Sequence, residues 1–470
     1  MKTINRLLPL AAALVLAGCA TALPSLPSAV DTPPQFKEQP RQNEHWTIAQ
    51  PAEAQSRGTW WKAFNDPVLD ALVERAGAGN TGIQEAAARL AQARALVRGA
   101  GAERTPQIGL GAAADRGTGI STANGSAPGT LLQAGVNISY EVDLFGRLSR
   151  TQDAATLDAQ SSEALLQSTR LMVQAEVAQT YLALRATDTE RALVNDTATA
   201  YADTLRLTQR RFDAGDVAEL DVIRIQTELA ATEAEVIALD RARAELEHAL
   251  AVLLGEPVSG FALTPDTTAR TLPVIPAGVP ATVLARRPDV AAAQASLLAA
   301  QARVGVAQAA WFPSVSLTGA AGYASPELGD LFKWSARAWG VGALMSLPIF
   351  DGGRREAGVQ GAQAQFDAAA AQYRGQVLNA LREVEDQLSA LRLLHEQAQA
   401  QGRAVSAAQR ASAISETRYR NGLVSQLELL DARRNELLNR RQAQRVEAAQ
   451  QQATVQLVRA IGGGWDVAGA

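Results

Sequence analysis

Residues 207 positions apart repeat along most of this chain. Pro106 matches Pro313, Arg147 matches Arg354, Glu176 matches Glu383, and Gly215 matches Gly422. The same register pairs Leu220 with Leu427, Leu250 with Leu457, and Gly255 with Gly462. One offset held across both halves implies a duplicated unit without net insertions. So long a period, used twice, is not a solenoid of short repeats. A length of 470 residues would otherwise suggest two to four domains. The repeat divides the chain into residues 1–18, a leader; 19–65, an N-terminal tether and the segment after it; 66–255, the first repeat; 256–272, a connector; 273–462, the second repeat; and 463–470, a tail.

Each half shows the same order of elements. An Ala-rich helical stretch comes first, about 82–103 and 289–310, with Pro288 and Asp289 suited to a helix start. Two strands follow. In Val136-Asn137-Ile138-Ser139-Tyr140-Glu141-Val142 apolar and polar residues alternate, the period of a half-buried strand. Val315 and Leu317 alternate with Ser314, Ser316 and Thr318; Val341, Ala343, Met345 and Leu347 form another face, and Ile108, Leu110 and Ala112 the last. Gly/Ser/Pro-rich loops, about 117–129 and 324–337, join the strands of each pair. Two very long helices then follow in each half, broken near Gly215 and Gly422. Val222, Ile225, Leu229, Thr232, Val236, Leu239, Leu246, Leu250 and Leu253 keep a heptad spacing that Arg243 interrupts. Val194, Ala198, Tyr201, Leu205, Thr208 and Phe212 continue it upstream. A helix from about 149 to 214 would be roughly 100 Å long, stable only in a coiled coil or larger array.

Lys2 and Arg6 precede the apolar run Leu7–Leu16, the shape of a secretory signal too short to span a bilayer. It ends in Leu16-Ala17-Gly18-Cys19, which has the form of a bacterial lipobox whose cysteine is acylated. The chain's single cysteine stands there; the alternative is a buried structural cysteine behind an ordinary signal. Ala20, rather than Asp, favours outer-membrane sorting. Residues 20–51 read as an irregular tether. A net charge of −4 gives no basic footprint for nucleic acid. One cysteine excludes a disulfide framework, and three scattered histidines (His45, His248, His395) have no metal-ligand spacing. No later run of ~18 consecutive apolar residues exists to form a transmembrane helix.

Four short strands cannot close a transmembrane barrel, which needs about eight. Oligomerisation resolves this, with several chains donating four strands each to one closed barrel. Trp311, Phe312, Phe332, Trp334 and Trp339 near the strand ends suit an interfacial aromatic girdle, or else ordinary core aromatics.

The motifs Leu16-Ala17-Gly18-Cys19, Trp60-Trp61-Lys62-Ala63-Phe64-Asn65-Asp66-Pro67, Tyr140-Glu141-Val142-Asp143-Leu144-Phe145-Gly146-Arg147, Arg286-Arg287-Pro288-Asp289-Val290, Phe312-Pro313, Pro348-Ile349-Phe350-Asp351-Gly352-Gly353-Arg354 and Arg418-Tyr419-Arg420-Asn421-Gly422 occur in this order. On these the chain resembles the TolC/OprM-type outer membrane factors, specifically the efflux lipoproteins of the NodT family, over essentially its whole mature length. The resemblance implies an α+β membrane protein of TolC-like fold. It implies a homotrimer whose four strands per protomer give a twelve-stranded outer-membrane β-barrel, continued by a long periplasmic α-helical barrel. Its implied function is the exit duct of a tripartite efflux pump, docked to a periplasmic adaptor and an inner-membrane pump of the resistance-nodulation-division (RND) type. Alternatives are a type I secretion channel or a structural coiled-coil surface lipoprotein.

The family pattern also implies site residues. Arg211, Gly215, Arg418 and Gly422 fall at the adaptor-docking tip, and Asp221 and Tyr419 at the link that closes it. Tyr419 could instead be a core aromatic, since Phe212 is its counterpart one repeat earlier. Glu428 and Asp431 fall at the periplasmic aperture, where their counterparts in the first repeat are Asp221 and Arg224. The alternative for Asp431 is a salt bridge with Arg224 or Arg434. For Arg286, Arg287 and the glycine turns a structural role is the expected one. No carboxylate pairs with a nucleophile, a histidine base or a metal cluster, so no enzyme is expected. No cofactor or metal is expected either, beyond a covalent lipid on Cys19.

Overall fold

A computed structural model of the chain describes residues 23–27, 33–38, 58–118, 128–268, 272–273 and 280–463. Cys19, the leader and residues 464–470 lie outside these. After a 3₁₀ turn at Trp60–Phe64 come α1 (Pro67–Gly79), α2 (Thr81–Ala102), β1 (Gln107–Thr118), β2 (Pro128–Val142), α3 (Arg147–Asp213) and α4 (Glu219–Leu254). The second half supplies α5 (Pro280–Arg286), α6 (Pro288–Ala309), β3 (Ser314–Ser325), β4 (Arg337–Ser346), α7 (Arg354–Arg420) and α8 (Gln426–Ala460). The pairs α2/α6, β1/β3 and α3/α7 begin and end at the repeat offset, and α3 and α7 each have 67 residues. The chain forms two compact units, and neither coincides with a repeat.

The first unit comprises Ala88–Ala164 and Ala292–Gly375 with the N-terminal segment. Its four strands make one antiparallel sheet in the order β1-β2-β3-β4, so β2 and β3 join the two repeats. At each change from strand to helix an aspartate caps the free amides, as expected for acids at helix starts. Asp143 accepts from Leu148 N (3.0 Å) and Ser149 N (2.8 Å); Asp351 accepts from Gly353 N (3.1 Å) and Arg355 N (3.2 Å). α6 is apolar and long enough to cross a membrane by composition alone. Its Leu297, Ala300 and Val304 are instead packed on Phe366 of α7. The small residues of α6 therefore serve close helix packing.

The second unit comprises Val30–Ala87, Leu165–Ala291 and Gln376–Ala470. Trp60, Trp61 and Phe64 are buried in edge-to-face contact. Asp66 caps α1, and the hydroxyl of Tyr181 donates to it at 2.7 Å. Apart from Phe212, which is exposed at the hairpin end, the heptad seam is buried or half-buried: Val194, Tyr201, Thr208, Ile225 and Leu250 are almost fully enclosed. Arg243, which interrupts the seam in sequence, is where the connector attaches. It donates to the fully buried Asp188 (2.7 Å), to Glu247 (3.3 Å) and to the carbonyl of Leu263 (2.5 Å). Asp188 also takes Arg185 at 3.0 Å, and Arg185 reaches the carbonyl of Thr264 at 2.7 Å. A charge in an apolar seam is tolerable here because it is paired. Part of the tether is also seated: Phe36 is buried, and Glu385 accepts the amides of Lys37 (2.7 Å) and Glu38 (2.9 Å).

Candidate functional site

Two regions carry the candidate site residues, the sheet of the first unit and the hairpin ends of the second. Strand pairing sorts the sheet into two faces. Ile108, Leu110, Val136, Ile138, Leu317, Trp339, Val341 and Met345 share one face, aligned by the registers Ile108↔Ile138, Leu110↔Val136, Leu317↔Ala343 and Val315↔Met345. Gln107, Asn137, Ser139, Ser316 and Thr318 share the other, mostly among glycines and alanines, with Leu344 opposite Ser316. The apolar face is open: Leu110 is 86% exposed and Val341 83%. So large an apolar surface in a folded chain needs a nonaqueous partner. Strands of 10 to 15 residues reach across a bilayer.

The expected aromatic girdle resolves into two groups at opposite ends of β3. Trp311 lies beside Arg355 (4.6 Å) and Phe312 stacks on Phe145 (4.8 Å) at the start of the strand. Phe332 meets Tyr323 edge-on at 5.6 Å beyond the other end, where Trp334 and Trp339 are also exposed. Two belts separated by an apolar band are the pattern of a membrane-spanning sheet.

In the second unit, α3–α4 and α7–α8 are helical hairpins. Gly215 (φ +80°) and Gly422 (φ +70°) close them, a backbone region costly for any residue with a Cβ. Beyond each glycine an amide returns to the helix, Asp216 N to Arg211 O and Leu423 N to Arg418 O, both at 2.8 Å. Arg211 and Tyr419 come together, the guanidinium donating to the hydroxyl at 3.3 Å and lying 5.8 Å from the ring. They line an open groove of about 580 Å³ with Asp203, Glu416, Arg420 and Arg433. Arg418 lies 3.7 Å from Glu428, and Arg434 lies 3.7 Å from Asp431.

The structure does not join Asp221 to Tyr419 within one chain. Asp221 sits 3.8 Å from Arg224, while Tyr419 is occupied by Arg211. Tyr419 is half-buried, and its hydroxyl accepts from Arg211. Asp431 does meet Arg434, one of the two partners weighed for it, yet its side chain remains 57% exposed. Glu428 is 49% exposed.

Sequence reasoning missed an ion-pair ladder between α4 and α8. Arg434 grips Glu228 through Nε (2.8 Å) and Nη2, and Arg441 reaches Glu235 at 2.8 Å. Both pairs are separated by 206 residues and lie seven residues apart on each helix. The equivalent helices therefore run parallel, with one rung per heptad. The bond from Arg434 holds the Glu228 carboxyl below the usual glutamate range, against the effect of its partial burial. A search for opposite charges near the repeat offset would have found this ladder.

The sequence profile of the family described as outer membrane efflux protein matches residues 72–256 and again 279–463. The two matches start and stop at the repeat offset. The chain is 33% identical over 413 residues to the outer membrane protein OprJ of Pseudomonas aeruginosa, covering 86% of each. It is 32% identical over 463 residues to the probable efflux pump outer membrane protein TtgC of Pseudomonas putida, covering 96% of this chain and 94% of that one. The solved structure of the outer-membrane channel OprN superposes with a TM-score of 0.85 at 33% identity, over 94% of this chain and 99% of that one.

Proposed function

The chain belongs to the outer membrane efflux protein family, and from that premise we propose that it is the outer-membrane exit duct of a tripartite efflux pump. The observation that carries this reading is the two-faced sheet, apolar outward and polar or small inward, in a chain whose relatives are efflux channels. Three chains would supply twelve strands and a lumen wide enough for solute, within the known range of such barrels. The duct is passive: its chain conducts what an inner-membrane pump of the RND type and a periplasmic adaptor deliver. Family membership supports transport rather than catalysis. Cys19 would carry the lipid that anchors the chain to the outer membrane, with the rest extending into the periplasm.

At the hairpin ends, Gly215 and Gly422 would form the tip that meets the adaptor, with Arg211 and Arg418 as polar contacts. Glu428 and Asp431 would ring the periplasmic aperture. Three chains would then bring six carboxylates close together, where like charges favour bound cations. Glu228 takes Nε and Nη2 of Arg434 and so offsets its charge, while Nη1 lies 3.7 Å from Asp431.

Purified protein in planar bilayers tests these roles together. The unmodified channel is expected to conduct, to prefer cations and to be blocked by trivalent cations. Glu428→Ala with Asp431→Ala should reduce the cation preference and lift the block while leaving the oligomer intact. Wild-type reversal potentials and block in that variant would remove these residues from the aperture. Asp221 and Tyr419, unjoined within a chain, would close the tip between chains; Asp221→Ala with Tyr419→Phe should raise conductance. Unchanged conductance would reject the link. A chain that never conducts would return the purely structural reading.

A further inference from the structure

The described N-terminal segment Leu23–Pro27 is seated on α6. Gln301 Nε2 donates to the carbonyl of Pro24 at 2.7 Å. A Cβ on residue 305 would lie 2.8 Å from Leu23 Cδ2 and 2.8 Å from Arg150 Cδ, closer than packed atoms approach. Gly305 therefore leaves a notch filled by Leu23 on one side and Arg150 on the other. Arg150 Nη1 also donates to the carbonyl of Gly305 at 3.1 Å.

The other repeat lacks this feature. At the repeat offset Gly305 corresponds to Arg98 and Gln301 to Arg94. Arg98 is exposed, and Arg94 faces Glu163 at 3.5 Å. The duplication is thus broken where the N-terminal segment docks, and only one of the two equivalent helices can receive it.

Cys19 stands four residues before Leu23, a separation of at most about 14 Å of extended chain. Gly305 lies one turn before the end of α6 at Ala309, and β3 begins at Ser314. We propose that the notch of Gly305 and Gln301 is a docking seat for the segment after the acylated cysteine, and that it fixes the lipid anchor beside the periplasmic ends of the membrane strands. The segment acts as a short strut rather than a slack leash. Anchor and sheet thereby engage the same leaflet at a set spacing. The seat rests on the lipid reading of Cys19 only for what it positions.

Nitroxide labelling of full-length protein tests it. Leu26 is 49% exposed, so Leu26→Cys places a label on the segment without disturbing the notch. With Cys19 acylated, the introduced thiol is the only one to react. The expected spectrum has a broad, slow-motion component, and Gly305→Arg should abolish it. Arginine is the residue of the other repeat and suits a helix. Gln301→Ala, which leaves the notch open and removes one bond, should weaken the same component. A fast spectrum in the parent, or a slow component kept in both variants, would overturn the seat. The same reagent applied to the unmutated protein tests the anchor separately. No uptake supports acylation, whereas uptake at Cys19 would overturn the lipid anchor and with it the positioning role, and the spectra repeated in Cys19→Ser would still decide the seat.

Discussion

Gly322→Val is expected to eliminate folded channel from the outer membrane. Gly322 of β3 pairs with Gly135 of β2. A Cβ at 322 would lie 2.5 Å from Gly135 Cα and 3.0 Å from Ala134 C, with the Ala134 carbonyl oxygen closer still. The reverse holds at 135, whose Cβ would lie 2.7 Å from Ala321 O and 2.9 Å from Gly322 Cα. These neighbours are backbone, so no rotamer change relieves the clash; the strands must separate. Overpacking costs about 1–3 kcal/mol even where side chains can yield, and 1.4 kcal/mol is already a factor of ten. The damage falls on the β2–β3 ladder, the sheet's junction between the repeats. Heat-resistant oligomer in outer-membrane fractions should drop by roughly tenfold or more. Gly340→Val is the control: it lies on the same face of the sheet, and a Cβ there meets nothing within 4 Å. It should assemble normally, since valine suits a strand better than glycine. Equal assembly by the two variants would remove the close approach of β2 and β3 as a constraint.

The repeat, the long helices and the strand faces were legible because each rests on a period. Heptads, alternation and the repeat offset survive without knowledge of the third dimension. The hairpin ends were legible through Gly215 and Gly422, since a positive φ leaves a residue-type signature. What sequence could not supply is the pairing of charges across helices. Arg243 read as a flaw in an apolar seam, because nothing local tells that Asp188, fifty-five residues earlier, is buried opposite it. Arg211 and Tyr419 were each placed at the tip, but their contact was not foreseen, and Tyr419 was matched with Asp221. A family motif gives residue types at positions; it does not say whether a contact forms within one chain or between chains. The tether was expected to be irregular. Its described residues, 23–27 and 33–38, are irregular in backbone, yet Leu23 and Pro24 are packed or bonded against a helix and Phe36 is buried. Composition rich in proline and polar residues reports the lack of regular structure, not the lack of docking.

Arg287→Ala should be the most destabilising change in the second unit. Arg287 keeps only 6% of its side chain exposed, and its guanidinium is fully engaged. Nε and Nη2 grip Asp289 at 3.1 and 2.6 Å, and Nη1 reaches Glu383 at 2.8 Å and the carbonyl of Ala460 at 2.9 Å. One side chain thus ties the start of α6 to α7 and to the last turn of α8. Removing it takes a donor from two carboxylates and a helix-end carbonyl, leaving Asp289 with Gln376 Nε2 (2.6 Å) and the amide of Val290, and Glu383 with Arg459 at 3.8 Å. Breaking a buried pair costs about 3–5 kcal/mol, and the lower end applies because both carboxylates remain 27% exposed. Arg287→Lys, which keeps the charge but loses the two-pronged grip, should fall between. The pH dependence gives an independent check. Burial alone would raise the Asp289 carboxyl, but the bond and charge of Arg287, with the amide of Val290, hold it below the usual aspartate range. A lowered folded value means that its stabilisation is complete above the unfolded value near ~4 and is lost as the pH falls through the folded value. In Arg287→Ala the main causes of the lowering are removed, so the variant should be less stable at neutral pH and should show a shallower acid-dependent slope. Unfolding midpoints measured in detergent from pH 7 down to pH 3 read both effects. A variant with wild-type midpoints across that range would show that the cluster of Arg287, Asp289 and Glu383 does not hold these three helices together.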